Sequence, residues 1–294
     1  MSCYEEFESL PELAWELDLV PPSDPPERCS VPIAGRTLSA IRWGTAPEVV
    51  FLHGGGQNAH TWDATILALG RPALAVDLPG HGHSSWRTDG YDPIALAEDV
   101  GLALEALVPK PVPVLGMSLG GLIGVVLAAT HPHRVPALAL VDITPGVTPE
   151  RAGPLVESVA QAASMRTEED LLGFLSAAMP RRSIASIRRS IGHSIVRSEE
   201  GWRWRYDTGI MDHASIYDAS PIWELLGRIC CPVMLIRGEH SRAVEEADVA
   251  EFRRRLPSAE VTIVEGAGHS VQSDKPHELA ALLERSWAST FTNQ

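Results

Sequence analysis

Residues 111–130 read PVPVLGMSLGGLIGVVLAAT, and this stretch decides the fold of the chain. Its first part is a short apolar run with β-branched residues, which is typical of a buried strand. Its second part, residues 119–129, is apolar on almost every side, which is typical of a buried helix. Between them lies GMSLG at 116–120, a G-x-S-x-G motif in the strand–turn–helix context that a nucleophile elbow requires.

Such a turn explains why glycines flank the serine. It strains the backbone of Ser118, and a Cβ at Gly116 or Gly120 would collide with neighbouring main chain. In exchange, the Oγ of Ser118 stands clear of the sheet, and the N–H groups at the start of the helix point toward developing negative charge. The motif alone occurs often by chance, so a small-residue turn in some other α/β protein is the structural alternative.

Strands and helices alternate on both sides of this turn. A hairpin is predicted over residues 31–33 and 37–43, turning at Ala34-Gly35. Further strands are predicted at 48–52, 73–76, 137–141, 232–237 and 260–264, with helices at 93–107, near 245–255 and from Asp274 onward. The alternation predicts an α/β fold, a mainly parallel twisted sheet with helices on both faces.

The alternation stops between residues 144 and 227, where only helical patterns are found. We therefore predict an N-terminal helix and proline-rich linker at 1–28, a core at 29–143 and 228–294, and a helical block at 144–227 inserted after the sixth strand. The N-terminal helix is expected over residues 4–19, since Phe7, Leu10, Leu13 and Leu17 recur at helical spacing. Four prolines between residues 21 and 26 indicate a stiff linker.

Composition limits the class of partner and the compartment. The 294 residues are 45% hydrophobic, which is enough for a large core, and the net charge of −14 argues against nucleic acid as a partner. The four cysteines have neither metal nor redox spacing, so reduced thiols in a cytoplasm are the simplest interpretation. The acidic N-terminal stretch predicts no signal peptide, and no run of about 18 apolar residues indicates a membrane span. Oligomeric state stays open.

Four motifs in order carry a resemblance to a known family: HGGG at 53–56, DLPGHGHS at 77–84, GMSLGG at 116–121 and GAGHS at 266–270. From about residue 30 onward the chain resembles the α/β-hydrolase superfamily, and within it actinobacterial serine carboxylesterases. The resemblance implies the α/β-hydrolase fold, with residues 144–227 as a helical cap. It also implies Ser118 as nucleophile, His269 as general base, and an oxyanion hole made by the backbone N–H groups of Leu119 and Gly55.

The same resemblance implies a serine carboxylesterase that cleaves short- to medium-chain acyl esters, small molecules, through an acyl-enzyme on Ser118. The apolar residues of the helical block predict that these esters are uncharged. It implies no metal and no organic cofactor. A lactonase, a thioesterase or a C–C bond hydrolase would use the same machinery, and a non-catalytic ligand-binding receptor on this fold is the alternative from another class. Similarity of fold does not distinguish these activities, because it indicates the chemistry and not the substrate.

Apolar residues of the cap are predicted to form its core first and to line the acyl pocket second; these are Phe174, Met179, Trp202 and Trp204. Metal sites at His53/His60 or His81/His83 are not predicted, because carboxylates or cysteines at a convincing spacing are missing.

The acid partner of His269 departs from the family pattern. The usual acid follows the penultimate strand in a G-x-x-D turn, and that turn here ends in Ser241, which cannot carry a charge. Two carboxylates are candidates. Asp142 directly follows the strand after the elbow strand, and Glu239 lies two residues before the usual position. We predict Asp142 as the acid, since a short side chain at a strand end is held more rigidly. Glu239 is the alternative acid. The structural alternative for Asp142 is a helix-capping or turn residue.

Overall fold

A computed structural model describes residues 5–148, 167–198, 201–211 and 219–291, together with positions 151, 153, 157, 158, 160–162, 164 and 165. Its strands, in chain order, are β1 (Glu27–Ile33), β2 (Arg36–Trp43), β3 (Val49–Leu52), β4 (Ala73–Asp77), β5 (Val114–Met117), β6 (Leu138–Val141), β7 (Ile195–Ser198), β8 (Gly201–Trp204), β9 (Val233–Gly238) and β10 (Glu260–Val264).

Eight of these strands form one sheet in the order β1-β2-β4-β3-β5-β6-β9-β10. The pairs β1–β2 and β2–β4 are antiparallel, and every other pair in this sheet is parallel. The elbow strand β5 lies near the middle, with β6 beside it and β9 next to β6. The carboxyl ends of the parallel strands meet at one edge, where ligands of open α/β sheets bind.

Among the described residues, the α-helices with defined bounds are α1 (Leu10–Glu16), α2 (Asp63–Leu69), α3 (Pro93–Leu107), α4 (Leu119–Thr130), α5 (Glu168–Ala178), α6 (Ile184–Ser194), α7 (Glu246–Arg255), α8 (Val271–Asp274) and α9 (Pro276–Phe291). Shorter-pitch 3₁₀ helices lie at Ala59–Trp62, Thr208–Met211 and Ser220–Arg228.

Both faces of the sheet are covered by apolar side chains. One face packs against α3, α4 and α7, and the other packs against α1, α2 and α9. Successive residues of β3 divide between the two: Val50 and Leu52 belong to the first core, while Val49 and Phe51 belong to the second. A strand buried on both sides must be apolar throughout, which explains its continuous hydrophobic run. The predicted α/β fold with a mainly parallel sheet is confirmed.

The N-terminal helix differs from its prediction. It was expected over residues 4–19, but α1 covers only Leu10–Glu16, and residues 6–9 form turns. Pro11 lies in the first turn of α1, where its fixed φ and missing N–H favour a helix start. Leu10 and Ala14 are buried in the second core, so the segment packs on the sheet domain. The 3₁₀ helix Ala59–Trp62 and the helix α2 that directly follows it were not predicted from the sequence.

Residues 144–227 also depart from the expected all-helical pattern. Helices α5 and α6 are present, but β7 and β8 form a two-stranded antiparallel sheet with Ile195 opposite Trp204. Four-residue strands are too short for their period of two to be distinguished from a helical pattern in the sequence. The apolar side chains of these elements form a third cluster around Leu171, Ile187 and Ile191.

Among the described residues, no helix is both long enough and apolar enough to cross a bilayer.

Candidate active site

Ser118 lies at the turn between β5 and α4. Its backbone has φ 50° and ψ −119°, a conformation that costs energy for any residue with a side chain. The N–H of Ser118 donates to the carbonyl of Val141 at 3.2 Å, and the N–H of Gly120 donates to the carbonyl of His53 at 3.1 Å. The ends of both neighbouring strands therefore hold the strained turn.

Glycine is required on both sides of Ser118 because the main chain passes so closely. A Cβ built on Gly116 would lie 2.3 Å from the carbonyl oxygen of Gly120, and one built on Gly120 would lie 2.3 Å from that of Leu52. Backbone atoms cannot rotate aside as the end of a flexible side chain can. The contacts agree with the collision that the motif predicts.

Asp142 directly follows β6 and is fully buried. Its N–H donates to the carbonyl of Ile236 at 2.7 Å, and its Oδ1 accepts from the N–H of Gly238 at 3.2 Å. Its Oδ2 accepts a hydrogen bond from Nδ1 of His269 at 2.7 Å. The structure thus brings together Asp142 and His269, which are 127 positions apart in the chain.

The bond to Asp142 determines which nitrogen of His269 is basic. A carboxylate only accepts hydrogen bonds, so Nδ1 carries the proton and the lone pair is on Nε2. That Nε2 is buried and has no hydrogen-bond partner among the described residues. The geometry leaves a buried acceptor directed away from the acid, which is what proton transfer to and from a substrate requires.

Ser241 contributes to this arrangement in a way that the sequence did not predict. Its hydroxyl donates to Oδ2 of Asp142, the oxygen that also receives the bond from His269. Its Oγ accepts from the N–H of Ala243 at 3.1 Å. The residue at the position of the usual acid therefore supports the carboxylate that comes from the neighbouring strand. No motif in the sequence signals this contact.

Glu239 has other partners. Its Oε2 accepts from the N–H of Gly266 at 2.8 Å and lies 3.7 Å from Nε2 of His240. About half of its side chain is exposed. Glu239 therefore contacts the turn that precedes His269, while the imidazole bonds to Asp142.

In the HGGG loop, one backbone N–H group differs from its neighbours in having no hydrogen-bond partner among the described residues. The N–H of Gly54 donates to Oε1 of Gln57 and that of Gly56 donates to Nε2 of His81, both at 3.1 Å. Among the described residues, no hydrogen bond is made by the N–H of Gly55 or of Leu119. These two N–H groups are the ones predicted from the sequence to form an oxyanion hole.

Two buried histidines support this loop without serving as bases. Nε2 of His53 accepts from the N–H of Leu78 at 3.0 Å, and Nδ1 of His81 lies 3.1 Å from the carbonyl of Pro79. Burial lowers the pKa of His53 to about 4 and the pKa of His81 to about 3. Both rings are neutral at pH 7, and their hydrogen bonds fix the path of the loop.

The segment after β6 contacts the same edge of the sheet. The N–H of Asp207 donates to the carbonyl of Gly80 at 2.7 Å, and the hydroxyl of Tyr91 donates to Asp207 at 2.7 Å. The amide of Asn58 donates to the hydroxyl of Ser194 at 3.4 Å. These contacts join α6 and the residues after β8 to the loops that follow β3 and β4.

The predicted pocket residues lie mainly inside this segment. Phe174, Trp202 and Trp204 pack against its apolar cluster, and the two indoles meet edge to face at 5.3 Å. Met179 is partly exposed, and its sulfur lies 3.6 Å from a nitrogen of Arg182. These contacts describe a packed interior, and a role in lining the acyl pocket stays a prediction.

One cluster has the composition of a metal site but not the geometry. Ligand atoms of His60, Asp63 and His193 lie within 4.8 Å of one another. The rings of His60 and His193 stack at 3.6 Å with an angle of 12° between them, so their in-plane lone pairs cannot meet at one ion. Both nitrogens of His60 also bond to carboxylates, those of Asp63 and Glu6. As arranged, the cluster is a hydrogen-bond network.

Comparisons with known proteins agree with this geometry. A family model for the alpha/beta hydrolase fold matches residues 47–276. The chain is 42% identical over 289 residues to esterase Rv0045c of Mycobacterium tuberculosis, a match covering 95% of this chain and 94% of that protein. A crystal structure of that esterase superposes with a TM-score of 0.85 at 40% identity, covering 97% of this chain and 99% of the other.

A second solved structure extends the likeness of fold. E-2-(acetamidomethylene)succinate hydrolase superposes with a TM-score of 0.82 at 24% identity, covering 88% of this chain and 98% of the other. The family model spans well over half of the 294 residues. The sheet order, the strained serine turn and the match together establish that the chain belongs to the α/β hydrolase fold family.

Proposed function

We propose that the protein is a serine carboxylesterase that cleaves short- to medium-chain acyl esters through an acyl-enzyme on Ser118. The observation that carries this proposal is the hydrogen bond from His269 to buried Asp142, with Nε2 of the same ring unpartnered among the described residues. Similarity to an esterase at 42% identity over nearly the whole chain supports it.

The reaction proceeds in two halves. Oγ of Ser118 attacks the ester carbonyl carbon while Nε2 of His269 takes the hydroxyl proton. The tetrahedral intermediate then breaks its bond to the alcohol oxygen, and His269 returns the proton to that oxygen. Water, deprotonated by His269, attacks the acyl-enzyme in the same way and releases the carboxylic acid and free Ser118.

Charge on the substrate oxygen requires donors that are already in position. The backbone N–H groups of Leu119 and Gly55 serve this purpose, because the N–H groups on either side of Gly55 are already bonded to Gln57 and His81. Donors that need not reorganise stabilise the intermediate more than water does.

Asp142 is the acid of the triad, and Ser241 supports it. The carboxylate orients the ring of His269 and stabilises the imidazolium that forms when Nε2 takes a proton. The missing acid at position 241 was the main feature in favour of a non-catalytic receptor. A buried carboxylate bonded to His269 weakens that alternative.

The remaining assignments follow from the esterase proposal. The partner is a small-molecule ester, residues 144–227 act as a cap over the site, and Phe174, Met179, Trp202 and Trp204 limit the length of the acyl chain. A cytoplasmic location is supported by Cys29, Cys230 and Cys231, which are free thiols in the structure.

Covalent labelling tests the proposal directly. A fluorophosphonate should attach once, at Ser118, and Ser118→Ala should abolish both labelling and turnover, lowering kcat by roughly three or more orders of magnitude. A panel of acyl esters of graded chain length then defines the substrate range. Labelling at another residue of the folded protein, or none, would contradict the serine mechanism.

A further inference from the structure

Arg181 lies against the loop that carries His269. A methyl group built on Gly268, the residue before His269, would be only 3.3 Å from Nη1 of Arg181. Neighbouring Cα atoms are about 3.8 Å apart, so an anion bound by this guanidinium would lie on the order of 10 Å from the imidazole. A substrate chain of a few carbon atoms spans that distance.

Among the described residues Arg181 forms no salt bridge, although Asp274 is nearby: Oδ2 of Asp274 and Nη1 of Arg181 lie 3.2 and 3.3 Å from a methyl group built on Gly268. The side chain of Arg181 is exposed to solvent. The nearest acid on the loop, Asp274, accepts the N–H of Gly268 at 2.7 Å. An exposed guanidinium that has no directly bonded carboxylate can bind an anion from solution.

Arg182 adds a second positive charge next to the first. It is half-buried, and among the described residues its guanidinium bonds to neutral groups: the hydroxyl and carbonyl of Ser186 at 3.0 and 3.1 Å, and the sulfur of Met179 at 3.6 Å. Burial lowers the pKa of Arg182, and the charge of Arg189 lowers it further, while Asp274 acts to raise it. A half-buried cation of this kind is stabilised by an anion that binds beside it.

We propose that Arg181, the residue before Arg182, binds an anionic group of the substrate, so that the preferred esters carry a carboxylate a few carbon atoms from the scissile bond. This inference rests on the esterase proposal and narrows its substrate class. It also revises the expectation of uncharged substrates, which came from the apolar cap residues alone. Arginine suits a carboxylate because its planar fork of donors matches the two oxygens.

Matched ester pairs test the inference. One pair has a common alcohol and an acyl chain that ends either in a carboxylate, as in a glutarate monoester, or in the isosteric neutral amide. A second pair has a common acetyl group and carries the carboxylate or the amide on the alcohol. The two pairs distinguish an anion on the acyl side from one on the leaving group.

The wild-type enzyme should prefer the carboxylate member of at least one pair by about tenfold in kcat/KM, mainly through KM, and added salt should reduce the preference. Arg181→Gln should reduce that ratio by about tenfold, and Arg181→Lys should retain most of it. Arg188→Gln is the matched control, since it removes the same charge from an exposed position on α6.

Two results would overturn the inference. One is hydrolysis of the neutral amide esters with no preference for the carboxylate in either pair, which leaves the esterase proposal intact. The other is an equal fall in the ratio for Arg181→Gln and Arg188→Gln, which would indicate overall charge and not a site. Failure to hydrolyse any ester, together with failure of fluorophosphonate labelling, would overturn both proposals.

Discussion

Ser118 and Asp142 directly follow the neighbouring parallel strands β5 and β6, and the two residues have positive φ values of 50° and 54°. Each such conformation costs a non-glycine residue on the order of 1–3 kcal/mol. Hydrogen bonds from their N–H groups to the carbonyls of Val141 and Ile236 hold both residues at the sheet edge. Strain of this kind is common where a side chain must be held in one position for chemistry.

At this scale, the two candidate acids can be separated by amide substitution. Asp142→Asn should lower kcat by about a hundredfold or more with KM little changed, because an amide no longer supports the imidazolium and no longer fixes its tautomer. Glu239→Gln should cost less than about tenfold, since an amide oxygen can still accept the N–H of Gly266.

Steady-state kinetics on one ester, with circular dichroism as a check on folding, provide the measurement. The opposite ranking would assign the acid to Glu239. Small losses at both positions would mean that Ser118 and His269 act as a dyad.

The element that carries the nucleophile, the β5–α4 turn, depends on the absence of side chains at its contacts. Gly120 is in the first turn of α4 and lies against the carbonyl of Leu52 at the end of β3. The strand, the turn and the helix therefore pack as one unit, and movement of α4 away from β3 would also move the N–H of Leu119.

Gly120→Ala should destabilise the protein by about 3 kcal/mol or more, because its Cβ would meet backbone that cannot move aside. Gly173→Ala in α5 is the control: nothing lies within 4 Å of the position, and alanine should be neutral or stabilise by about 0.5–1 kcal/mol. Denaturant unfolding of both variants checks this. Equal stabilities of the two variants would contradict the close packing at Gly120.

For the whole molecule, one network joins the N-terminal segment to the sheet. Glu6 bonds to Nε2 of His60 at 3.0 Å and to Nε of Arg28 at 2.7 Å, and Arg28 also bonds to Asp77 at 2.7 Å. Burial acts to lower the pKa of His60, but Asp63 and Glu6 together raise it to about 9. His60 is therefore charged in the folded protein at neutral pH, when an unfolded chain would have mostly lost that proton.

A raised pKa in the folded state determines the sign of the pH dependence. The stabilisation by charged His60 is fully present below the ordinary pKa of about 6.5 and is lost as the pH rises through 9. The stability advantage of the wild type over His60→Gln should therefore shrink by on the order of 3 kcal/mol between pH 6.5 and 9.5. Urea midpoints at the two pH values measure it, and a pH-independent difference would rule out a charged His60.

The sequence by itself determined the α/β fold, the family and the positions of Ser118, Asp142 and His269 at loops that follow strands. These follow from local patterns: runs of apolar residues, glycines around one serine, and loops at the ends of parallel strands. The hydrophobic pattern did not predict the short strands β7 and β8, because four residues fit a helix equally well.

Only the tertiary structure decided which carboxylate bonds to His269, that Ser241 supports it, and that Arg181 lies against Gly268. Each of these contacts joins residues far apart in the chain, and each depends on the path of a loop and the direction of a side chain. Local propensity contains no information on either, because both are set by packing among elements that meet only when the whole sheet has formed.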